Sequence, residues 1–285
     1  KQKISHLSLS LVPGIGPITF DKINKLYNHN LEQLWLDIKN NKQNKLPNKI
    51  YNILKNINKF EHAQKIDHAL KWEDNNKSNY IIFNINNINN KYPDILKQIP
   101  DPPPVLYAQG NIEALNSPQI AVVGARQMSR YGQRNTQYFA SELSRLGLSI
   151  TSGMAIGVDS IAHVSALKAN GTTIAVMGTG LNHYYPRSNI NLAKNILANN
   201  GVLISELPLD TNVNKINFPR RNRIISGISL ATLIIECSAK SGSLITAKFA
   251  TEQSKEVFAV PGEINHPLSE GPHNLIQQGA KEICL

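Results

Sequence analysis

The segment Asn217-Phe218-Pro219-Arg220-Arg221-Asn222-Arg223-Ile224-Ile225-Ser226-Gly227 places three guanidinium groups within four residues. A guanidinium forks a phosphate through two parallel N–H donors, so clustered Arg points to a polyanion. On a helix, positions 220, 223 and 227 share one face, and 221, 224/225 and 228 share another. Ile224, Ile225 and Ile228 demand burial, so the three Arg cannot all face solvent. At least one is expected to reach toward neighbouring strand ends. Two further sites repeat the chemistry. Gly124-Ala125-Arg126-Gln127-Met128-Ser129 follows an apolar run, and Arg187-Ser188-Asn189 follows Tyr184-Tyr185-Pro186. A dinucleotide fingerprint needs G-x-G-x-x-G at the first of these, and Arg126 stands where the second glycine belongs. A bulky cation there disfavours NAD and leaves an anion site built from a helix N-terminus, the Ser129 hydroxyl and the Arg126 fork. The alternative for Arg126 is a salt bridge to a loop acid.

Other residues are weighed the same way. Ser152 and Gly153 can bring donors near a phosphate, and Ser241-Gly242 lies in a small-residue loop before another helix. Tyr184 and Tyr185 suit base stacking or plain packing. Asp159 and His163 stand one helical turn apart, a spacing that permits acid–base catalysis, but the structural reading is preferred. Cys237 has no partner His in a nucleophile motif and reads as a shielded thiol. With Cys284 it makes only two cysteines, too few for a disulfide scaffold or a four-ligand zinc site. Neither a metal nor a cofactor is expected.

The elements that must hold these loops follow from periodicity. Apolar runs predict strands at 80–83, 105–107, 120–123, 148–151, 173–177, 202–205, 231–235 and 257–260. Amphipathic patterns predict helices at 131–146, 157–169, 188–199, 219–227, 243–254 and 272–279. Alternation of this kind gives an α/β, Rossmann-like, doubly wound and mostly parallel sheet, with ligands outside the carboxyl ends of its strands. Residues 4–72 read as helical. There, Leu11-Val12-Pro13-Gly14-Ile15-Gly16-Pro17 joins two helices as a helix-hairpin-helix would, or as an ordinary turn. A polar linker is expected from Trp72 to Asn79, and 84–90 gives no element. The domains are therefore placed at 1–78, a small all-α domain, and 79–285, the Rossmann-like domain.

Charge divides along the same line. Residues 1–100 hold 15 Lys, no Arg and 8 acids, whereas 101–285 hold 7 Lys, all 8 Arg and 12 acids. The net charge is 30 − 20 = +10, of which the first part carries +7 as scattered Lys and the second +3 with every guanidinium. No run approaches the roughly 18 apolar residues that span a bilayer, and no signal segment is visible. A cytoplasmic, soluble protein is expected. The chain opens on Lys1, as a trimmed chain or fragment does.

Six separated motifs in order from about residue 80 onward make the chain resemble the DNA-processing protein A (DprA, or Smf) family. They are Asp101-Pro102-Pro103-Pro104-Val105-Leu106-Tyr107 with Gly110-Asn111; Val123-Gly124-Ala125-Arg126 with Ser129 and Tyr131-Gly132; Ser152-Gly153-Met154-Ala155 with Gly157-Val158-Asp159; Tyr185-Pro186 with Asn189; Phe218 to Gly227; and Val260-Pro261-Gly262 with Gly271-Pro272-His273-Asn274-Leu275-Ile276-Gln277-Gln278-Gly279-Ala280. The helical start resembles the family's sterile-alpha-motif-like domain. Many members carry a further winged-helix domain, which has no counterpart in these residues. The resemblance implies a non-enzymatic, single-stranded-DNA-binding recombination mediator that protects incoming DNA during natural transformation and helps load the RecA recombinase.

By the same resemblance, Arg126 and Arg187 match the DNA-contacting basic positions. The expected contact set adds Gly124, Ser129, Ser152, Gly153, Asn189, Phe218, Arg221, Asn222, Arg223, Ser241 and Gly242. A homodimer interface is implied at His273, Leu275 and Ile276. Two rivals stand beside this reading. One is a nucleoside-monophosphate phosphoribohydrolase of the lysine-decarboxylase-like group, which needs a P-G-G-x-G-T loop followed by a helical Glu. Here Ser241 to Lys248 offers no acid before Glu252. The other is a module that senses a small nucleotide.

Overall fold

The structure, a computed structural model, describes residues 1–42, 45–84 and 91–284. The chain divides into two compact units, Lys1–Lys91 with Asp101–Leu106, and Tyr92–Pro100 with Tyr107–Leu285. The first contains α1 (Gln2–Ser10), α2 (Pro17–Leu26), α3 (Leu31–Lys39), α4 (Asn48–Lys55), α5 (Lys59–Asp74) and β1 (Asn79–Phe83). Its abundant Asn is put to use at helix starts. Asn30 accepts the Gln33 N–H (3.2 Å) to cap α3, and Asn58 accepts from Phe60 (3.2 Å) and Glu61 (3.4 Å) to cap α5. Between α1 and α2, Gly14 takes φ +85° and Pro17 occupies the first helical turn, where its missing N–H costs nothing. Leu9, Phe20, Ile23, Leu31, Leu34 and Leu54 meet in one core. The expected linker is shorter than its composition suggests, because α5 continues to Asp74. Glu73 accepts the Ile81 N–H (2.9 Å) and pairs with Lys3 (3.3 Å), so a residue that reads as solvated linker anchors a helix to a strand. Most of the stretch 84–90 lies outside the described residues.

In the second unit the order is α6 (Asp94–Lys97), β2 (Val105–Gly110), β3 (Gln119–Val123), α7 (Arg130–Arg145), β4 (Ser149–Ser152), α8 (Val158–Lys168), β5 (Thr173–Val176), α9 (Ile190–Ala198), β6 (Val202–Ser205), α10 (Asn217–Ile228), β7 (Ala231–Ile234), α11 (Ser243–Glu252), β8 (Glu256–Ala259), α12 (Glu270–Gln277) and β9 (Lys281–Glu282). Val105 and Leu106 of β2 count with the first unit, and Tyr107–Gly110 with the second. The second unit's sheet runs β2-β6-β5-β4-β3-β7-β8-β9. β2 pairs antiparallel with β6, and the remaining neighbours are parallel. The doubly wound, mostly parallel α/β architecture is as expected.

Apart from Ile120 in β3, the central strands are buried along their length, which explains the mostly apolar, non-alternating sequences of β3, β5, β6 and β7. Val122, Ile150 and Leu233 pack under Phe139, Ala140, Ala162 and Ala166 of α7 and α8, while α10 and α11 pack on each other after the chain crosses from β6 to β7. The strand order reverses between β3 and β7, so the loops leaving these neighbours diverge there.

Candidate nucleic-acid interface

The β3 and β7 loops leave at the reversal point, where an open α/β sheet ordinarily receives a phosphate. Here the protein supplies its own anion. Glu236, 3% exposed and two residues past the end of β7, accepts the Ser129 N–H (2.9 Å) and hydroxyl (2.5 Å) at the start of α7. Ser129 in turn accepts the Gly132 N–H (3.0 Å) as the helix cap. The Ser129 hydroxyl and the helix N-terminus, read from sequence as part of an anion site, are thus engaged by an internal carboxylate. A cleft of about 430 Å3 beside them is lined by Ser129, Tyr131, Glu236, Glu263, His266 and Ser269, and its two carboxylates disfavour a phosphate.

Positive charge gathers instead over β4 and β5. Arg221 is 5% exposed and enters from α10 beneath the strand ends. Its Nη1 donates to the Gly153 carbonyl (2.6 Å) and to that of Val176. A side chain on residue 153 would meet the guanidinium at 2.7 Å, so Gly153 is what lets Arg221 lie under the loop. Asp159 sits opposite, accepting from Gly153 N (3.1 Å) and Ala155 N (3.3 Å). Burial raises the Asp159 carboxyl, while Arg221 and the backbone N–H groups pull it down. Burial lowers Arg221 to about 10, with Asp159 raising it and Arg126 lowering it further. Arg221 therefore stays cationic at neutral pH. The pull from Arg126 shows that an exposed cation stands within the field of the buried one. Asp159 offsets Arg221, so the Arg126 charge beside them is left without a carboxylate of its own among the described residues, and an added anion is favoured there.

The rim above this floor is Arg126 from the β3 loop and Arg187 from the loop after β5, both exposed. Among the described residues neither has an ion-pair partner. Asn189 ties the Arg187 loop to the β4 loop, donating to the Met154 carbonyl (2.9 Å) and to Ser160 Oγ (2.8 Å). Met154 holds φ +61° while fully buried, a strained backbone that this clamp helps to maintain. Phe218 lies half-buried across Gly178, where a Cβ would come within 2.6 Å of its ring, and 5.5 Å from the Tyr185 ring. Asn222 donates to the Gly242 carbonyl (3.2 Å), joining the β7–α11 loop to α10, and Ser241 bonds Ser243 (2.7 Å) at the start of α11.

Other expected contacts have internal duties. Ser152 is fully buried and donates to the Val122 carbonyl (2.7 Å). Arg223 forks Glu206 at 2.7 and 2.6 Å with 5% of its side chain exposed. Gly124 lies where a Cβ would meet Val158 at 2.8 Å. His163 does not pair with Asp159. It bonds Thr173 (2.6 Å), whose hydroxyl donates to the Ile150 carbonyl (2.6 Å), and burial drives its pKa to about 3. It is therefore a neutral core residue. Burial also pushes the Cys237 thiol up to about 11. No group of described residues could hold a metal ion.

A family model described as "DNA recombination-mediator protein A" matches residues 84–284, which contain every loop of this rim. The chain belongs to that family. Within the recombination-mediator family it resembles the protein Smf of Escherichia coli, at 51% identity over 189 residues, covering 66% of this chain and 50% of that one. The chain thus spans about half the length of that relative. Among solved structures, DNA processing protein A of Streptococcus pneumoniae superposes with a TM-score of 0.74 at 31% identity, covering 99% of this chain and 94% of that one. A Helicobacter pylori structure described for its single-stranded DNA binding mode gives 0.65 at 32% identity, covering 73% and 91%.

Sequence reasoning did not find Glu236, whose partner Ser129 lies 107 residues away, or Asp159 as counter-ion to Arg221. An acid immediately after a central strand was the available signal for Glu236. Arg220, at the start of α10, is exposed.

Proposed function

We propose that this chain binds single-stranded DNA across the strand-end rim and acts in recombination of incoming DNA during natural transformation, handing the strand to the RecA recombinase. Arg126 and Arg187 contact phosphates. Arg221, Asp159 and Asn189 hold the loops that carry them, and Phe218 with Tyr185 borders the path of the bases. The reading gives the protein no covalent step. It works in the cytoplasm as a homodimer joined through His273, Leu275 and Ile276 of α12. No described helix is long and apolar enough to cross a membrane.

One observation carries the reading. Two exposed guanidinium groups, without an ion-pair partner among the described residues, stand over a buried floor whose Arg221 is already matched by Asp159. The family membership and the single-strand binding described for the Helicobacter relative support it. A rim set by short loops suits a flexible backbone rather than a stiff duplex. Fluorescence anisotropy with a single-stranded oligonucleotide, its duplex and free nucleotide as competitor tests this. Tighter binding to the single strand and weak competition by nucleotide are expected. Equal affinity for duplex, or displacement by nucleotide alone at comparable concentration, would overturn it.

A further inference from the structure

The rim uses one Arg of the segment 126–145, yet that segment holds Arg126, Arg130, Arg134 and Arg145, half of the Arg in the chain, against a single acid, Glu142. The last three lie on α7, which starts beside the rim because only the loop 124–129 separates it from β3. At 100° per residue, positions 130, 134, 138 and 145 fall on one stripe. All four are exposed, and the opposite side of α7 carries the buried Gly132, Thr136, Phe139 and Ala140. Glu142 pairs with Arg145. Arg130 and Arg134 meet no carboxylate among the described residues. The fourth member of the stripe is aromatic. Tyr138 is 48% exposed, with its ring braced edge-on against Phe139 at 5.5 Å.

A face that serves only solubility mixes both signs. This one places Arg at the first helical position, against the dipole, where an acid is favoured. Neighbouring helices show nothing similar: α8 exposes one cation, Lys168, and α10 buries two of its three Arg. Unpaired cations one turn apart, followed one turn later by an exposed ring, are complementary to phosphates followed by a base.

We infer that a DNA single strand leaving the rim at Arg126 continues along the outer face of α7, with phosphates on Arg130 and Arg134 and a base on Tyr138. This extends the proposed function and rests on it. The stripe is continuous with the rim, so it lengthens one binding path and makes the affinity depend on strand length.

The test compares a short oligothymidylate that fills the rim with a long one, each titrated against the full chain at several salt concentrations. Arg130→Gln with Arg134→Gln is expected to leave short-strand binding unchanged. Long-strand affinity should fall about tenfold, with a salt slope shallower by about 1.4, twice the 0.7 of a single-strand phosphate contact. Tyr138→Ser should cost the long strand about tenfold, as loss of one stacked base does. Arg130→Lys with Arg134→Lys should retain the wild-type salt slope, because it keeps the charge. Equal long-strand binding by wild type and the Gln pair would overturn the inference, as would an equal loss on both lengths. Wild-type binding to neither strand would overturn the functional reading itself, and this one with it.

Discussion

Arg126 and Arg221 lie in each other's field, yet burial gives them different work. Arg221 is locked to two backbone carbonyls and faced by Asp159, so it holds the β4 loop in shape. Arg126 is free to meet a ligand. Replacing Arg221 with Met leaves Asp159 charged and uncompensated in a dry site, and breaking such a pair costs about 3–5 kcal/mol. Denaturant unfolding should show that loss, and Asp159→Asn in the same chain should recover part of it, since the two groups act as one unit. If Arg221→Met unfolds like the wild type, the guanidinium is not the floor of this site.

Among the elements, α7 shows how a loop's work is divided. Its first turn is held by Ser129 and Glu236, so the N-terminus that would attract a phosphate is already satisfied. Ser129→Ala removes a helix cap and should cost about 1–2 kcal/mol of stability. Its single-strand affinity should stay close to wild type; a large selective loss of affinity without loss of stability would place the hydroxyl on the DNA. The strands themselves were legible, because buried parallel strands are short apolar runs: 202–205 is found where expected, and 231–235 ends one residue early at Ile234. The helix expected at 188–199 splits into a 3-10 turn at Arg187–Asn189 and α9. Asn189, tied to Met154 and Ser160, sits at that junction. α6 and β9 are too short to show a period. The exposed Arg of the rim was legible as composition beside glycines. Which Arg would be buried was not, because Arg223 finds Glu206, and Arg221 finds Gly153, only after distant segments pack.

For the whole molecule, the proposed assembly and the proposed DNA path make separable demands. Leu275 and Ile276 on α12 are only partly buried, as residues awaiting a second copy would be. Ile276→Glu should give a folded monomer in sedimentation, since a charge is costly in an apolar interface; a wild type that is already monomeric at micromolar concentration would reject the interface. The DNA path depends on charge that no partner among the described residues neutralises. Three to five phosphate contacts imply a salt slope of about −2 to −3.5 on single strands. The most direct test of the account measures single-strand affinity, its salt slope and the melting temperature for Arg126→Ala, Arg187→Ala and the double variant. Each single change should cost about 1.5–3 kcal/mol of binding, the loss of one charge-assisted contact. The double variant should lose most binding and show a slope shallower by about 1.4, with the melting temperature unchanged. Unchanged affinity in Arg126→Ala, or a fall in melting temperature without a specific loss of DNA binding, would contradict the account.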